Sequence, residues 1–164
     1  MTNQQTINIR GGRLMDPLTG RNGRMADIHI AAGQVRAVVD SGNDLPSADI
    51  ELDATNCIVS PGLVDLHVHL REPGREESET IETGSRAAAL GGFTAIVAMP
   101  NTEPAQDSRI VVEFVRAQGE HAGLCEVVPA GCITLGRAGE ALAPYDELRD
   151  AGVRLFTDDG NGVQ

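Results

Sequence analysis

The sequence predicts an α/β chain in which a small β module precedes four β/α units, the first half of a TIM-like eight-fold β/α barrel. Three observations carry that reading. The pattern changes at Pro61-Gly62, from short runs broken by turn residues to an alternation of apolar runs with helical periods. Such an alternation is the signature of a parallel sheet. The later apolar runs are continuous, as expected of parallel strands covered on both faces. Finally, 164 residues fall well short of the roughly 250 that a closed barrel takes.

The elements follow in order. Residues 1–58 contain TINI, ADIHI, QVRAVV and CIVS, separated by RGGR, DPLTGRNG, AAGQ and SGNDLPSAD. These are strand and turn signals without a long helical period. In residues 59–164, LVDLHVHL reads as a strand, ETIETGSRAAALGG as a helix ended by two glycines, and FTAIVAM as a second strand. SRIVVEFVRAQGEHAG reads as a helix starting near an Asp107-Ser108 cap, CEVVPA as a third strand, YDELRDAG as a short helix and VRLFT as a fourth strand. Functional loops of such units gather at the C-terminal ends of the strands.

Composition excludes several chemistries. All 13 cationic residues are Arg, against 24 acidic ones, for a net charge of −11. That balance argues against nucleic acid or an anionic membrane as partner. Without a single Lys, the stretch holds no Schiff-base lysine, phosphate-loop lysine or carbamylated metal-bridging lysine. One Tyr, three Phe and no Trp leave an aliphatic core. Cys57, Cys125 and Cys132 lack metal-ligand spacing, and MTNQQTINIR has neither a basic nor an apolar leader segment. No apolar run approaches the roughly 18 residues of a membrane span. We read a soluble, cytoplasmic chain with reduced thiols and assign the cysteines no functional role.

The strongest chemical signal is His67-Val68-His69 at the end of the first strand after the turn. Residues two apart on a strand share a face, so both imidazoles converge, and neutral imidazole is a favoured zinc ligand. The alternative is a pair of hydrogen-bonded core histidines. Asp65 on the same face favours the metal, since three polar groups in an apolar strand are costly to bury otherwise. Asp158-Asp159 follows the fourth strand; adjacent carboxylates repel, so the pair is either a solvated turn or has a cation nearby. Arg71 and Asn101, at the ends of the first two strands, are suited to holding a substrate carboxylate and an amide or carbonyl. Each taken alone also reads as a surface Arg or a turn Asn.

PGLVDLHVHLREPG, ETIETGSRAAALGGFTAIVAMPNTEP and LFTDDGNGVQ together resemble dihydroorotase of the bacterial type, within the amidohydrolase superfamily. HxH alone indicates only the superfamily; HVHLREPG with AMPNTxP is more specific. The resemblance covers nearly the whole chain, weakly in the β module. It implies a metal-dependent hydrolase that interconverts L-dihydroorotate and N-carbamoyl-L-aspartate in pyrimidine biosynthesis. By the same resemblance, His67 and His69 bind the more buried of two zinc ions and Asp159 bridges them, where many relatives use a carboxylated lysine. His69, Arg71 and Asn101 contact the substrate.

The family places further histidine ligands on later strands and its general acid and base, an Asp, after the eighth. His29 and His121 do not look like substitutes. The resemblance therefore implies an N-terminal fragment. It lacks the rest of the barrel and the C-terminal complement of a composite β-sandwich; its proton-transferring Asp lies beyond Gln164, and alone it is inactive and prone to self-association through open strand edges. Partners implied are the small-molecule substrate and either aspartate carbamoyltransferase or a second copy in a homodimer. Two other readings stay open: a non-catalytic dihydroorotase-like scaffold for aspartate carbamoyltransferase, and another cyclic amidohydrolase (hydantoinase, dihydropyrimidinase or allantoinase). Intact His67, His69 and Asp159 count against the scaffold. The missing lysine, with Arg71 and Asn101 present, counts against the other hydrolases.

Overall fold

The computed structural model describes residues 5–163 in two compact units, Met1–Pro61 and Gly62–Gln164. In the first unit, β1 (Ile7–Asp16), β2 (Arg21–Ala31) and β3 (Gln34–Asp40) form an antiparallel meander. β4 (Ile50–Asp53) and β5 (Ile58–Val59) both pair with β1 in parallel. The sequence reading did not assign β4. Its register is fixed by a side chain just outside it: Asp49 Oδ2 accepts from the Thr6 amide at 2.7 Å and the Thr6 hydroxyl at 2.8 Å.

Strand alternation sorts this sheet into two faces. Leu14, Ala26 and Ile28 form the buried apolar cluster, with Ile9, Ile30, Val38 and Val59 against it. The intervening positions bury Asn8, Asp27 and His29, and each finds partners. His29 Nδ1 lies 2.7 Å from Asn8 Oδ1, while Asn8 Nδ2 donates to Pro46 O and to Glu51 Oε1. Since the Asn8 amide nitrogen is committed as donor, its oxygen must accept, so His29 Nδ1 carries a proton. Burial alone would push the Asp27 carboxyl up. Hydrogen bonds from the Gly11 and Gly42 amides, the Ser41 hydroxyl and the Arg10 guanidinium outweigh it and hold the group below its ordinary value.

The second unit is a parallel sheet ordered β6-β7-β8, comprising Leu63–Val68, Phe93–Ala98 and Glu126–Pro129. The crossovers are α1 (Ile81–Leu90) and α2 (Arg109–Ala122). Thr80 caps α1 in a reciprocal pair with Thr83, and Gly123 ends α2 at a φ of 61°. Ser108 occupies the N-cap of α2 without a side-chain bond; Asp107 instead accepts the Gly136 amide. Ile81, Ile96, Val115 and Val127 form one buried cluster and Val112, Leu148, Ala151 and Val153 belong to another. α2 lies close on β8 because Gly119 has no side chain: a Cβ there would sit 2.5 Å from Val127 Cβ.

Two expectations need correction. α3 (Tyr145–Asp150) forms, but the VRLFT segment makes only a single parallel bridge, Gly131 with Phe156. Gly131 donates to Leu155 O and accepts from the Thr157 amide. The next amide pointing the same way along β8 would be residue 129, a proline without N–H, so the ladder stops. Coverage of both sheet faces also fails at β6, where Leu63, Val64 and Leu66 are exposed. No helix among the described residues is long and apolar enough to cross a membrane.

Candidate metal centre

The C-terminal end of β6 delivers His67 and His69, their ring centroids 5.2 Å apart and their planes at 72°. Asp65, on the same face, turns back on its own strand, its carboxylate accepting the His67 amide at 3.0 Å. Asp159 arrives from the segment after Phe156. Its Oδ1 lies 3.2 Å from His67 Nε2 and 3.9 Å from His69 Nε2. One donor atom from each of the three residues falls within 4.8 Å of the others. The spacing suits a single small cation, and the donors are those zinc takes.

Asn101, just past β7, bridges two members of this cluster. His69 Nδ1 lies 2.9 Å from Asn101 Oδ1, and Asn101 Nδ2 donates to Asp159 Oδ2 at 3.0 Å. The Asn101 oxygen is an acceptor, so the His69 proton resides on Nδ1 and its Nε2 lone pair faces Asp159. That tautomer is the one a metal at Nε2 needs. The Asn101 amide nitrogen carries a second N–H, which can donate to a further acceptor without loss of either bond.

The two adjacent aspartates divide their work. Asp158 is buried and accepts from the Ile133 amide (2.8 Å), the Thr134 amide (3.1 Å) and the Thr134 hydroxyl (2.5 Å). It anchors the loop after β8. Asp159 has a φ of 55°, which turns its side chain the other way. The expected repulsion is thus relieved by orientation.

Arg71 lines a cleft of about 400 Å³ with Arg75, Asn101, Glu103, Gly136 and Arg137. Arg75 is paired with Glu103, its Nη2 2.6 Å from Oε1. Gly74 permits this wall to close: at φ 106°, a Cβ there would lie 2.4 Å from Glu103 O. The side chain of His67 is 60% exposed and that of His69 30%. His29 sits in the first unit's hydrogen-bonded network and His121 is exposed at the end of α2. Sequence reading missed Arg137, whose guanidinium comes 3.8 Å from Asp159 Oδ2. Its only signal was a place between glycines in LGRAG.

With the geometry in place, comparison with known proteins is informative. The family model described as dihydro-orotase-like matches residues 56–164. A dihydroorotase of Pelobacter propionicus is 48% identical over 155 residues, covering 94% of this chain and 36% of that protein. One of Desulforapulum autotrophicum is 46% identical over 159 residues, covering 96% of this chain and 37% of that protein. The chain thus spans about a third of the length of the curated relatives it matches. Among solved structures, an L-hydantoinase (dihydropyrimidinase) from Arthrobacter aurescens is 25% identical with a TM-score of 0.73, over 92% of this chain and 32% of that one. A dihydroorotase crystal structure at 17% identity and TM-score 0.60 shares the fold over 94% of this chain and 42% of that one.

Proposed function

This chain belongs to the dihydro-orotase-like family, and from that premise we propose that it carries the first metal-binding half of a dihydroorotase. The reaction is the reversible hydrolysis of L-dihydroorotate to N-carbamoyl-L-aspartate, a step of pyrimidine synthesis in the cytoplasm. The observation that carries this reading is the convergence of His67, His69 and Asp159 on one point. Two neutral imidazoles and a carboxylate suit zinc, and the Asn101 bond that leaves His69 Nε2 free supports the fit.

When bound, zinc supplies Lewis acidity, polarising the ring amide carbonyl and acidifying water. The chain's own residues hold and orient. His67, His69 and Asp159 supply three donors, Asp159 serving where other amidohydrolases carry a carboxylated lysine. Arg71 takes the substrate carboxylate through its planar fork, with the Asn101 amide beside it. Three donors do not complete the coordination of two ions, so we assign the remaining ligands and the proton-transferring Asp to segments beyond these 164 residues.

Hydantoinase-like chemistry is the second reading, favoured by the Arthrobacter structure. The lack of lysine counts against a carboxylated-lysine metal bridge, and the cleft shared by Arg71 and Asn101 favours a substrate that bears a carboxylate. The test compares L-dihydroorotate with dihydrouracil as substrates of the full-length protein. Strong preference for dihydroorotate, lost in Arg71→Ala, is the expected result. Equal rates on both would replace this reading with the hydantoinase one. The partner, a second copy or aspartate carbamoyltransferase, belongs to the same proposal and is read by sizing the protein alone and mixed.

A further inference from the structure

We infer that Arg137 is a positioning residue of the metal centre. It holds Asp159 Oδ2 so that Oδ1 stays aimed at the two imidazoles; the inference rests on the metal-binding reading above. Four independent observations converge on it. Arg137 Nη2 lies 3.8 Å from Asp159 Oδ2, with the Arg137 side chain 20% exposed and the Asp159 side chain 13% exposed. Its Nε donates to the Asp158 carbonyl at 3.2 Å, so one planar guanidinium spans the backbone before Asp159 and the carboxylate itself. Lysine, a single point charge, cannot reproduce that span. The carboxylate is also divided by atom: Oδ1 faces His67 and His69, while Oδ2 faces Asn101 Nδ2 and Arg137.

The fourth observation is the backbone that presents Arg137. Its φ is 58°, a conformation that L residues other than Asn and Asp seldom adopt. Among the described residues five non-glycines have positive φ; two of them, Arg71 and Arg137, line the cleft, and a third is Asp159, which Arg137 approaches. Strain of this kind persists only where surroundings over-determine it, and here they do. Gly136 donates to Asp107 Oδ2, Gly139 to Thr134 Oγ1, and Asn161 Nδ2 to Arg137 O. Thr134 is in turn fixed by Asp158. The short 3₁₀ turn Leu135–Arg137 is thereby tied at both ends to the segment that carries Asp159. A ligating carboxylate needs such an outer partner to keep one orientation, and loss of one typically weakens metal binding by about 10–100-fold.

The test reads zinc affinity of the 164-residue chain by competition with a chromophoric chelator, and the visible absorption of the cobalt(II)-loaded chain. The variants are Arg137→Met, Arg137→Lys, Asp159→Asn, the double His67→Ala/His69→Ala, and Arg137→Met combined with Asp159→Asn. Methionine keeps the aliphatic stem, and circular dichroism verifies the fold. Arg137→Met should weaken zinc about tenfold or more and shift the cobalt spectrum, Arg137→Lys should recover part of the loss, and Arg137→Met should add nothing once Asp159 is Asn. If Arg137→Met binds like wild type while Asp159→Asn and the double histidine variant lose affinity, the role of Arg137 is overturned and the metal site stands. An equal loss in the Asp159→Asn background marks a general structural role and also overturns it. Should wild type bind zinc no better than the double histidine variant, the metal reading itself falls and takes the inference with it.

Discussion

His29, on β2 of the first unit, and the pair His67 and His69, at the C-terminal end of β6 in the second, are placed by opposite logic. His29 is 7% exposed, sits among a buried polar set, and has its Nδ1 proton taken by Asn8, whose other atoms are engaged by Pro46 and Glu51. Every bond there serves the sheet. At the end of β6 the histidines are far more exposed, and the Nε2 lone pair of His69 faces a carboxylate oxygen instead of a donor, with His67 Nε2 beside the same oxygen. An acceptor facing an acceptor across 3.9 Å, as His69 Nε2 faces Asp159 Oδ1, is unfavourable unless a proton or a cation sits between them. A satisfied histidine builds structure; a lone pair aimed at a carboxylate is an arrangement that suits a cation.

The largest effect that can break this contrast is in zinc affinity. His67→Ala, His69→Ala and Asp159→Ala should each weaken binding by at least about 100-fold, more than loss of an outer partner costs, whereas His29→Ala should leave it unchanged. Isothermal titration of the four variants measures this, and a comparable loss in His29→Ala would erase the distinction. The reciprocal effect is in stability. Asn8→Ala strands His29 Nδ1 and removes the bonds to Pro46 and Glu51, so denaturant unfolding should show a loss of about 1–3 kcal/mol at unchanged zinc affinity.

A smaller effect is tied to pH. Asp27 is held below its ordinary value of 3.8 because the hydrogen bonds it accepts overcome burial. A carboxylate depressed in the folded state stabilises above its unfolded value, and that stabilisation is lost as pH falls through the folded value. Asp27→Asn, which points an amide group at donors such as the Gly42 N–H, should therefore be less stable than wild type near neutrality. The gap should close below about pH 4. Denaturant melts from pH 3 to 7 follow it, and a gap independent of pH would show that the charge of Asp27 contributes nothing.

What the sequence disclosed divides along the same line. Period and turn chemistry marked β6, α1, β7, α2 and α3, because each is an apolar or amphipathic run with its own stop signal. β4 was invisible: IELD is four residues long, and its place is set by Thr6 and Asp49, a partnership across 43 positions. The fourth strand was overcalled because its apolar letters say nothing of Pro129 on the neighbouring chain segment. HxH disclosed His67 and His69, since a strand fixes their relative direction. The separation of Asp158 from Asp159, the bridging of His69 and Asp159 by Asn101, and the approach of Arg137 all depend on loops folded against one another. No local pattern encodes those contacts.

The smallest effect provides the control for the rest. Cys57 is exposed, whereas Cys132 is fully buried. Burial pushes the Cys132 thiol up to about 12, with Asp107 and Asp158 adding to the rise and Arg137 opposing it. The thiolate is the reactive form, so at pH 8 an alkylating reagent should modify Cys57 readily and leave Cys132 protected until the second unit opens. Mass spectrometry of time points then reads that unit separately from the first. In Arg137→Met the guanidinium that lowers the Cys132 thiol is gone, which makes the folded-state thiol still less reactive. Faster labelling of Cys132 in that variant can therefore arise only from opening of the unit. Unchanged protection of Cys132 together with weakened zinc would locate the defect at Asp159, whereas lost protection would trace both to the collapse of the loop between β8 and α3.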